Sequence, residues 1–185
     1  MKICIVCVLL LFLGGCSDAP EELEIGMELR SKLLQASECS FDAEVTADYG
    51  KQLHTFSMNC NADAKGNLRF TITDPQTISG ISGSLSGDGG QLVFEDTALH
   101  FPLLAEQQLS PISAPWILMK TLRSGYLTSG STENGCVRLS VDDSYEEDPL
   151  RLDILLDENR LPKQADILYQ GRRILSVALT NLRIL

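Results

Sequence analysis

Residues that could take part in catalysis are few in this chain. It contains only two histidines, His54 and His100. Strand alternation places His54 on an apolar face, which favours a core or cavity histidine, and His100 lies in a short edge-strand candidate without a paired acid in the sequence. Ser82, Ser84 and Ser86 lack the spacing of a GxSxG nucleophile elbow, and no GxxxxGK[ST] or HExxH motif occurs. The sequence therefore predicts a protein that is not an enzyme.

An acidic segment, residues 141–149 (VDDSYEEDP), offers oxygen ligands. Its five carboxylates belong to Asp142, Asp143, Glu146, Glu147 and Asp148. Such a group could bind Ca²⁺ weakly. The spacing matches no known calcium loop, which favours a solvated turn. We therefore predict neither a metal site nor a cofactor.

The N-terminus carries the most specific signal in the sequence. Lys2 supplies a positive charge, residues 3–13 are almost wholly apolar, and Gly14-Gly15 precede Cys16. This order is typical of a secretory signal peptide. The apolar run is too short for a transmembrane helix, which needs about 20 residues.

The end of this segment resembles the bacterial lipobox. That resemblance implies cleavage before Cys16 and a diacylglyceryl group on its sulfur, as in palmitate-bearing lipoproteins. Two acyl chains anchor a protein stably where one does not. The expected organisation is a signal peptide at 1–15, a lipidated Cys and tether at 16–21, and one domain at 22–185. We expect the protein on the extracytoplasmic side of the cell membrane, anchored by lipid.

The length and charge of the remaining chain exclude some functions. Removal of residues 1–15 from the 185-residue chain leaves 170 residues, enough for one domain with its own core. The net charge changes from −10 to −11, since Lys2 is the only charged residue lost. Such a surface repels nucleic acid and anionic lipid head groups. We therefore expect no nucleic-acid partner.

The alternation of apolar and polar residues at 39–48 and 52–60 predicts a hairpin. A two-residue turn at Tyr49-Gly50 would bring the apolar faces of both strands to one side. The register that follows pairs Phe41 with Met58, Ala43 with Phe56, Val45 with His54, and Cys39 with Cys60. In this register Cys39 and Cys60 could form a disulfide, or both could stay reduced as small buried hydrophobic residues. Cys136 would remain alone beside a turn.

The remaining pattern predicts two helices and two groups of strands. The segments at 21–36 and 110–124 have helical apolar spacing, with Arg30 and Lys32 suited to the dipole of the first helix and Ser113 as a cap of the second. Strands are expected between the helices and again after residue 125, the last of them at 173–184 with apolar residues on both faces and cover on both sides. We predict an α+β fold: a single curved antiparallel sheet (an incomplete β-barrel) with an N-terminal helix and a central helix covering its concave face.

Several segments resemble the LolA/LolB family of lipoprotein carriers. They are RFTITDP, SGISGSLSGDGGQLVFED, the central helix after LSP, and the ending LPKQADILYQGRRILSVALTNLRI. The resemblance spans about residues 22–185. It implies an incomplete β-barrel with a helical lid over an apolar cavity, and relatives that use this scaffold to bind lipids or protein partners.

Two functions follow from these observations. In the first, a membrane-anchored, non-catalytic lipoprotein holds a lipid or an acyl chain in a concave apolar surface too large for two helices to fill. Its wall would be formed by Phe41, Phe56, Met58, Phe70, Phe94 and Leu152, and its lid by Trp116, Ile117 and Met119. In the second, the interior is filled, and a sheet edge or the acidic surface recruits another envelope protein, for example in cell-wall or spore assembly.

Overall fold

The computed structural model describes residues 20–50, 52–94, 97–105 and 108–185. The predicted signal peptide and Cys16 lie outside these residues. The helices are α1 (Glu21–Gln35), a short 3₁₀ helix (Pro111–Ser113) and α2 (Ala114–Ser124). The strands are β1 (Glu38–Asp48), β2 (Leu53–Asp63), β3 (Leu68–Asp74), β4 (Ser82–Ser86), β5 (Gly89–Phe94), β6 (Thr97–Phe101), β7 (Leu104–Ala105), β8 (Gln108–Leu109), β9 (Tyr126–Glu133), β10 (Cys136–Asp142), β11 (Leu150–Leu156), β12 (Pro162–Tyr169) and β13 (Arg172–Ile184).

Eleven of the strands form one antiparallel sheet. Its order is β6-β5-β4-β3-β2-β1-β13-β12-β11-β10-β9, and β7 with β8 forms a separate two-stranded ribbon. The pairing of β1 with β13 joins the two halves of the chain. Among the described residues the sheet does not close on itself, so β6 and β9 are its edges. This architecture confirms the predicted α+β fold with a single curved sheet and two helices.

The helices and one face of the sheet enclose the core. Along β1, residues 39, 41, 43, 45 and 47 are buried, which is the alternation that the sequence predicts. Helix α1 contributes Ile25, Leu29 and Leu33 to the core. Gly26 lets α1 approach the sheet closely, because a Cβ at this position would lie 2.9 Å from Cδ2 of Leu127. None of the helices in the described ranges is long and apolar enough to cross a membrane.

Arg30 links the two helices. Its Nε donates a hydrogen bond to the carbonyl of Leu122 (2.9 Å), and its Nη2 donates to the carbonyl of Gly125 (2.6 Å). These carbonyls are at the C-terminus of α2, where a cation is stabilised by the helix dipole. Arg30 therefore serves the second helix, whereas the sequence suggested that it complements the first.

The predicted register of the first hairpin is wrong by two residues. Asp48 pairs with Leu53, and the Tyr49 N–H donates to the carbonyl of Gln52, so the turn follows Tyr49 and is not formed by Tyr49-Gly50. Cys39 therefore lies opposite Ala62, and Cys60 opposite Phe41. The apolar faces still match, because a shift of two residues keeps every side chain on its side of the sheet.

Two further expectations are corrected by the packing. On β13, Leu175, Val177 and Leu179 are buried but Ala178 is exposed, because the helices cover only one side of the sheet. The last strand is thus covered on one face, not on both. Ser113 precedes α2 as predicted, but its side chain makes no capping hydrogen bond and donates to the carbonyl of Ser110 instead.

Candidate functional site

The residues predicted to line an apolar cavity lie mostly in the filled core. Eight of them are at most 8% exposed: Phe41, Phe56, Met58, Phe70, Trp116, Ile117, Met119 and Leu152. A cavity wide enough for an acyl chain would leave the side chains that line it accessible. These side chains instead pack into one cluster with the two helices. The expectation that two helices cannot fill the concave face is therefore wrong for this part of the sheet.

Phe94 is the exception among the nine. It lies at the end of β5 with 57% of its side chain exposed, so it is not part of the interior. Its neighbour on the same face is Leu99 of β6, which is 61% exposed, and Leu92, paired with Leu99, is half-buried. We call the strip formed by Leu92, Phe94, Leu99 and the outer edge of β6 the β6 margin. It is the part of the concave face that the helices leave uncovered.

Two glycines explain why the core ends before the β6 margin. A Cβ at Gly83 would lie 2.6 Å from the ring of Phe70, and a Cβ at Gly90 would lie 2.2 Å from the ring of Phe101. Aromatic rings therefore lie over these two positions and replace the missing side chains. Strands β4 and β5 thus contribute few large side chains that could attract a covering helix.

The backbone of β6 offers hydrogen-bonding groups to a further strand. Phe94 pairs with Thr97 at the closed end of the β5–β6 hairpin, and pairs with and without hydrogen bonds alternate from there. It follows that the backbone groups of Thr97, Leu99 and Phe101 point to β5, whereas those of Ala98 and His100 point outward. Within the described residues, no strand of the sheet lies on that outer side. β6 also lacks the lysine or proline that natural proteins use to blunt an edge.

At the opposite edge of the sheet, helix α1 lies against the face of β9. The hydroxyl of Thr132 on β9 donates to Glu22 Oε1 of α1 at 2.9 Å. A Cβ at Gly130 of β9 would lie 2.5 Å from Cβ of Glu22, so the helix approaches the strand as closely as a glycine allows. Helix α1 therefore covers the concave face at β9, whereas the concave face at β6 has exposed apolar side chains.

A second surface feature is a cleft of about 580 Å³ beside α2, which we call the α2 cleft. One side is formed by the turn between β2 and β3 and another by parts of the chain near β8 and β11. Residues that line it include Lys65, Gly66, Leu103, Leu109, Trp116, Ile117, Lys120, Thr121, Arg123, Asp143 and Leu150. It combines apolar side chains with three cations and one carboxylate.

The turn beside the α2 cleft is held by Asp63. Its carboxylate accepts hydrogen bonds from the backbone N–H groups of Lys65 (2.8 Å) and Asn67 (2.9 Å) and from the side-chain amide of Asn67 (2.9 Å). These bonds, first of all that from the Asn67 side chain, hold the pKa of Asp63 below its usual value. Trp116 Nε1 donates to the carbonyl of Gly66 at 2.9 Å, which fixes the turn against α2.

The acidic segment, residues 141–149, forms part of another cleft, with a volume of about 600 Å³. Asp48, Asp143, Glu146 and Asp148 line it together with the cation Arg172. Within the ranges that the structure describes, no three His, Cys, Asp or Glu side chains come close enough together to hold a metal ion. The hydrogen bond from the Leu150 backbone N–H to Asp143 Oδ1 (2.9 Å) gives one of these carboxylates a structural role.

All three cysteines of the domain are free thiols in the structure. Cys39 and Cys60 are diagonal neighbours on the β1–β2 pair, where residues are about 7–8 Å apart, against about 5.5–6 Å between the Cα atoms of a disulfide. The predicted register, on which the staple depended, is the one that the structure corrects. Burial raises the pKa of both thiols, and for Cys39 the nearby guanidinium of Arg123 partly opposes this effect. Cys136 is half-buried at the start of β10.

Neither histidine lies in an enclosed site. His54 is exposed opposite Ala47, beyond the end of the core, with its ring centroid 5.7 Å from that of Tyr49. The expectation of a core or cavity histidine is therefore wrong. His100 is exposed on β6, which is an edge strand as predicted.

Sequence reasoning singled out Phe94, Trp116 and Ile117, but as parts of one central cavity, and it missed the cations of the α2 cleft. Lys65, Lys120 and Arg123 come from a turn and a helix that only the folded chain brings together. The spacing of Trp116 and Lys120, one helical turn apart, was the available signal for the α2 cleft. For the β6 margin, the signal was a short candidate strand that contains no lysine, arginine, aspartate or glutamate.

Comparison with known proteins gives likenesses of structure only. No family model matches the chain, and a search of curated proteins returns no match. A conserved protein from Thermus thermophilus is 8% identical, with a TM-score of 0.49 over 90% of this chain and 88% of that one. A LolA superfamily protein from Nitrosomonas europaea is 8% identical, with a TM-score of 0.48 over 86% and 93%. A chain in the Clostridioides difficile complex of the CwlD amidase with the GerS lipoprotein is 12% identical, with a TM-score of 0.44 over 94% and 100%.

These likenesses are distant and concern the fold alone. The incomplete barrel with two helices is the architecture that the resemblance to the LolA/LolB family implied.

Proposed function

We propose that this chain is a non-catalytic protein of the cell envelope that recruits a partner protein by adding one of the partner's strands to β6. The observation that carries the proposal is the β6 margin: an edge strand with outward backbone groups next to exposed apolar side chains. The N-terminal segment would anchor the protein to the membrane through lipid on Cys16. The partner would supply an extended segment with apolar residues on one face.

The geometry of β6 supports this mode of binding. The N–H and C=O groups of Ala98 and His100 can form up to four backbone hydrogen bonds with an added strand, which is the usual source of affinity in strand addition. Alternate side chains of that strand would lie over Leu99 and towards Phe94, whose exposed apolar area would then be removed from water. A continuous apolar strip of this kind is typical of an interaction site.

The packing of the interior favours the binding of a protein partner over the transport of acyl chains. Leu152, Met58 and Phe41 of the predicted wall are each at most 3% exposed. An acyl chain could enter this region only if the helices moved away from the sheet. The acidic surface, with a net charge of −10, further disfavours partners that are strongly anionic.

The test uses a proline substitution that affects only the outer side of β6. Ala98→Pro removes an outward N–H and leaves the hydrogen bonds between β5 and β6 in place, and proline is tolerated at such positions. Ala98→Val is the matched control, because it keeps the N–H group. Random peptides are displayed on phage and selected on the wild-type protein lacking residues 1–16, which retains every described element.

We expect the selected peptides to carry alternating apolar residues and to slow hydrogen exchange at the amides of Ala98 and His100. Their affinity should fall at least tenfold with Ala98→Pro and stay within about twofold with Ala98→Val. Peptides that bind both variants equally, or that leave these two amides unprotected, would refute the proposed site. The anchoring part is tested separately: Cys16→Ser should move the full chain from the membrane fraction to the soluble fraction.

A further inference from the structure

We propose that the α2 cleft is a binding site for a single-chain amphiphile with an anionic head group. This site is separate from the β6 margin and goes beyond the function proposed above. It also differs from the predicted half-barrel cavity: the lid residues Trp116 and Ile117 line it, but none of the six predicted wall residues does. The proposal depends on the charges, the unpaired polar groups and the apolar side chains that meet in the cleft.

Three cations surround the turn at Gly66. Lys65 is its neighbour in the chain, and a Cβ built at Gly66 would lie 4.0 Å from Nη1 of Arg123. Lys120 Nζ lies 5.5 Å from the ring centroid of Trp116, whose Nε1 donates to the carbonyl of Gly66. A single head group near this turn is therefore within reach of all three positive charges.

These cations form no ion pair among the described residues, although Lys65 contributes to the lowered pKa of Asp63. The chain has 25 acidic residues against 15 basic ones, yet within the described residues Lys65, Lys120 and Arg123 form no salt bridge. The ion pairs there involve five other arginines: Arg138, Arg151, Arg160, Arg172 and Arg173. The one carboxylate that lines the cleft, Asp143, accepts a hydrogen bond from the Leu150 backbone. The cleft is thus a positive site on an acidic protein, which fits an anionic ligand.

Two buried polar groups add hydrogen-bonding capacity. Thr121 lines the cleft and is 1% exposed, and its hydroxyl has no partner among the described residues. The same is true of Arg123 Nε, although Arg123 Nη1 donates to the carbonyl of Asp63 at 2.8 Å. Buried polar groups are nearly always paired in native proteins, so these two groups would gain a partner from a ligand if its binding moved the side chains around them.

The remaining lining accounts for the apolar part of the ligand. Leu103, Leu109 and Leu150 are half-buried side chains that line the cleft. Its volume of about 580 Å³ is within the range of small-molecule sites, about 300–1,000 Å³. A free inorganic anion would leave these leucines without a role. An amphiphile uses the cations and the leucines together.

The sole tryptophan of the chain makes the test direct. Trp116 lines the cleft, and the sequence contains no other tryptophan, so its fluorescence reports on this site alone. The protein lacking residues 1–16 is titrated with dodecyl phosphate, with uncharged dodecyl maltoside and with inorganic phosphate, all below the concentrations at which micelles form. We expect a saturable change with dodecyl phosphate, at least tenfold weaker binding of dodecyl maltoside, and no saturable change with inorganic phosphate at the same concentrations.

Charge variants assign the binding to the cleft. The double substitution Lys65→Gln and Lys120→Gln should weaken dodecyl phosphate binding at least fivefold, since each exposed charge contact is of modest strength. Lys163→Gln, on β12 away from the cleft, is the control and should leave the affinity unchanged. Equal binding of the phosphate and maltoside amphiphiles would refute the proposal, as would a double variant with wild-type affinity. Saturable binding of a hexaglutamate peptide at the affinity of dodecyl phosphate would overturn it in favour of an acidic peptide site.

Discussion

Replacement of Arg30 by methionine is expected to destabilise the protein by about 3 kcal/mol. The guanidinium donates to two carbonyls at the C-terminus of α2, those of Leu122 and Gly125, at 2.9 and 2.6 Å. Hydrogen bonds of a charged group contribute about 1.5–3 kcal/mol each, and the lower value applies to a side chain that is only partly buried. Methionine keeps the apolar stem of the side chain, so the loss reports on the two bonds.

The matched variants separate charge from geometry. Arg30→Lys keeps the positive charge at the helix terminus but lacks the planar guanidinium that reaches two carbonyls at once, so we expect about half of the loss. Lys32→Met removes a charge from the exposed side of the same helix. The Lys32 side chain makes no hydrogen bond to the described residues, so the substitution should cost at most about 0.5 kcal/mol.

The assay is equilibrium unfolding in urea, followed by the fluorescence of Trp116, which lies on α2 itself. For a domain of this size, a loss of about 3 kcal/mol lowers the melting temperature by roughly 6–12 °C. A loss below about 1 kcal/mol for Arg30→Met, or a loss equal to that of Lys32→Met, would contradict the conclusion that Arg30 joins the two helices.

Two further predictions concern groups with shifted pKa values. In the native protein lacking residues 1–16, iodoacetamide should modify Cys136 well before Cys39 and Cys60, whose burial raises the pKa of each thiol; mass spectrometry after digestion measures the order, and equal rates would contradict it. The lowered pKa of Asp63 stabilises the fold at pH values above the ordinary carboxyl pKa of about 3.9, and this contribution is lost as the pH falls through the lower folded value. Asp63→Asn should therefore lower the melting temperature at pH 7 and reduce its dependence on pH below about 4, whereas a parallel shift at all pH values would argue against a role for the Asp63–Asn67 hydrogen bond.

Local patterns were sufficient to predict most elements of the fold. Alternation of apolar and polar residues identified β1 and β11 because a strand with one buried face requires period two. The Asn134-Gly135 pair forms the turn between β9 and β10, and both residues have positive φ (52° and 80°), which is the backbone that a tight turn between twisted strands needs. Helix α2 was recognised from its apolar spacing, and eight of its eleven residues are buried.

The register of the first hairpin could not be obtained in this way. Shifts of two residues leave the same side chains on the same face, so the apolar pattern permits several registers. The choice depends on the turn, where Asp48 Oδ1 accepts a hydrogen bond from the Gly50 N–H at 2.7 Å and the Tyr49 N–H donates to the carbonyl of Gln52. Of the two alternatives for Cys39 and Cys60, the disulfide depended on the predicted register, whereas two reduced, buried thiols did not.

The surfaces proposed as sites escaped prediction for a different reason. Lys65 and Arg123 are 58 positions apart in the printed sequence, and each has an ordinary local environment there. Only the packing of α2 against the turn after β2 brings them together, so the signal is tertiary. For the predicted cavity the difficulty was different. Local apolarity identified residues of the interior, but it could not show whether the helices fill the space between them.

The uneven cover of the sheet explains where both proposed sites lie. Helices α1 and α2 contribute large apolar side chains that fill the concave face beside the central strands, and α1 also lies over the concave face of β9. Strands β4 and β5 contain Gly83 and Gly90, over which aromatic rings lie. These strands therefore present few large side chains of their own against which a third helix could pack. The β6 margin is what remains uncovered. The α2 cleft lies at the other boundary, where the covering helix meets the turns of the sheet. An additional helix over β5 and β6 would remove the β6 margin without affecting the α2 cleft. Tighter packing beside α2 would remove the α2 cleft without affecting the β6 margin.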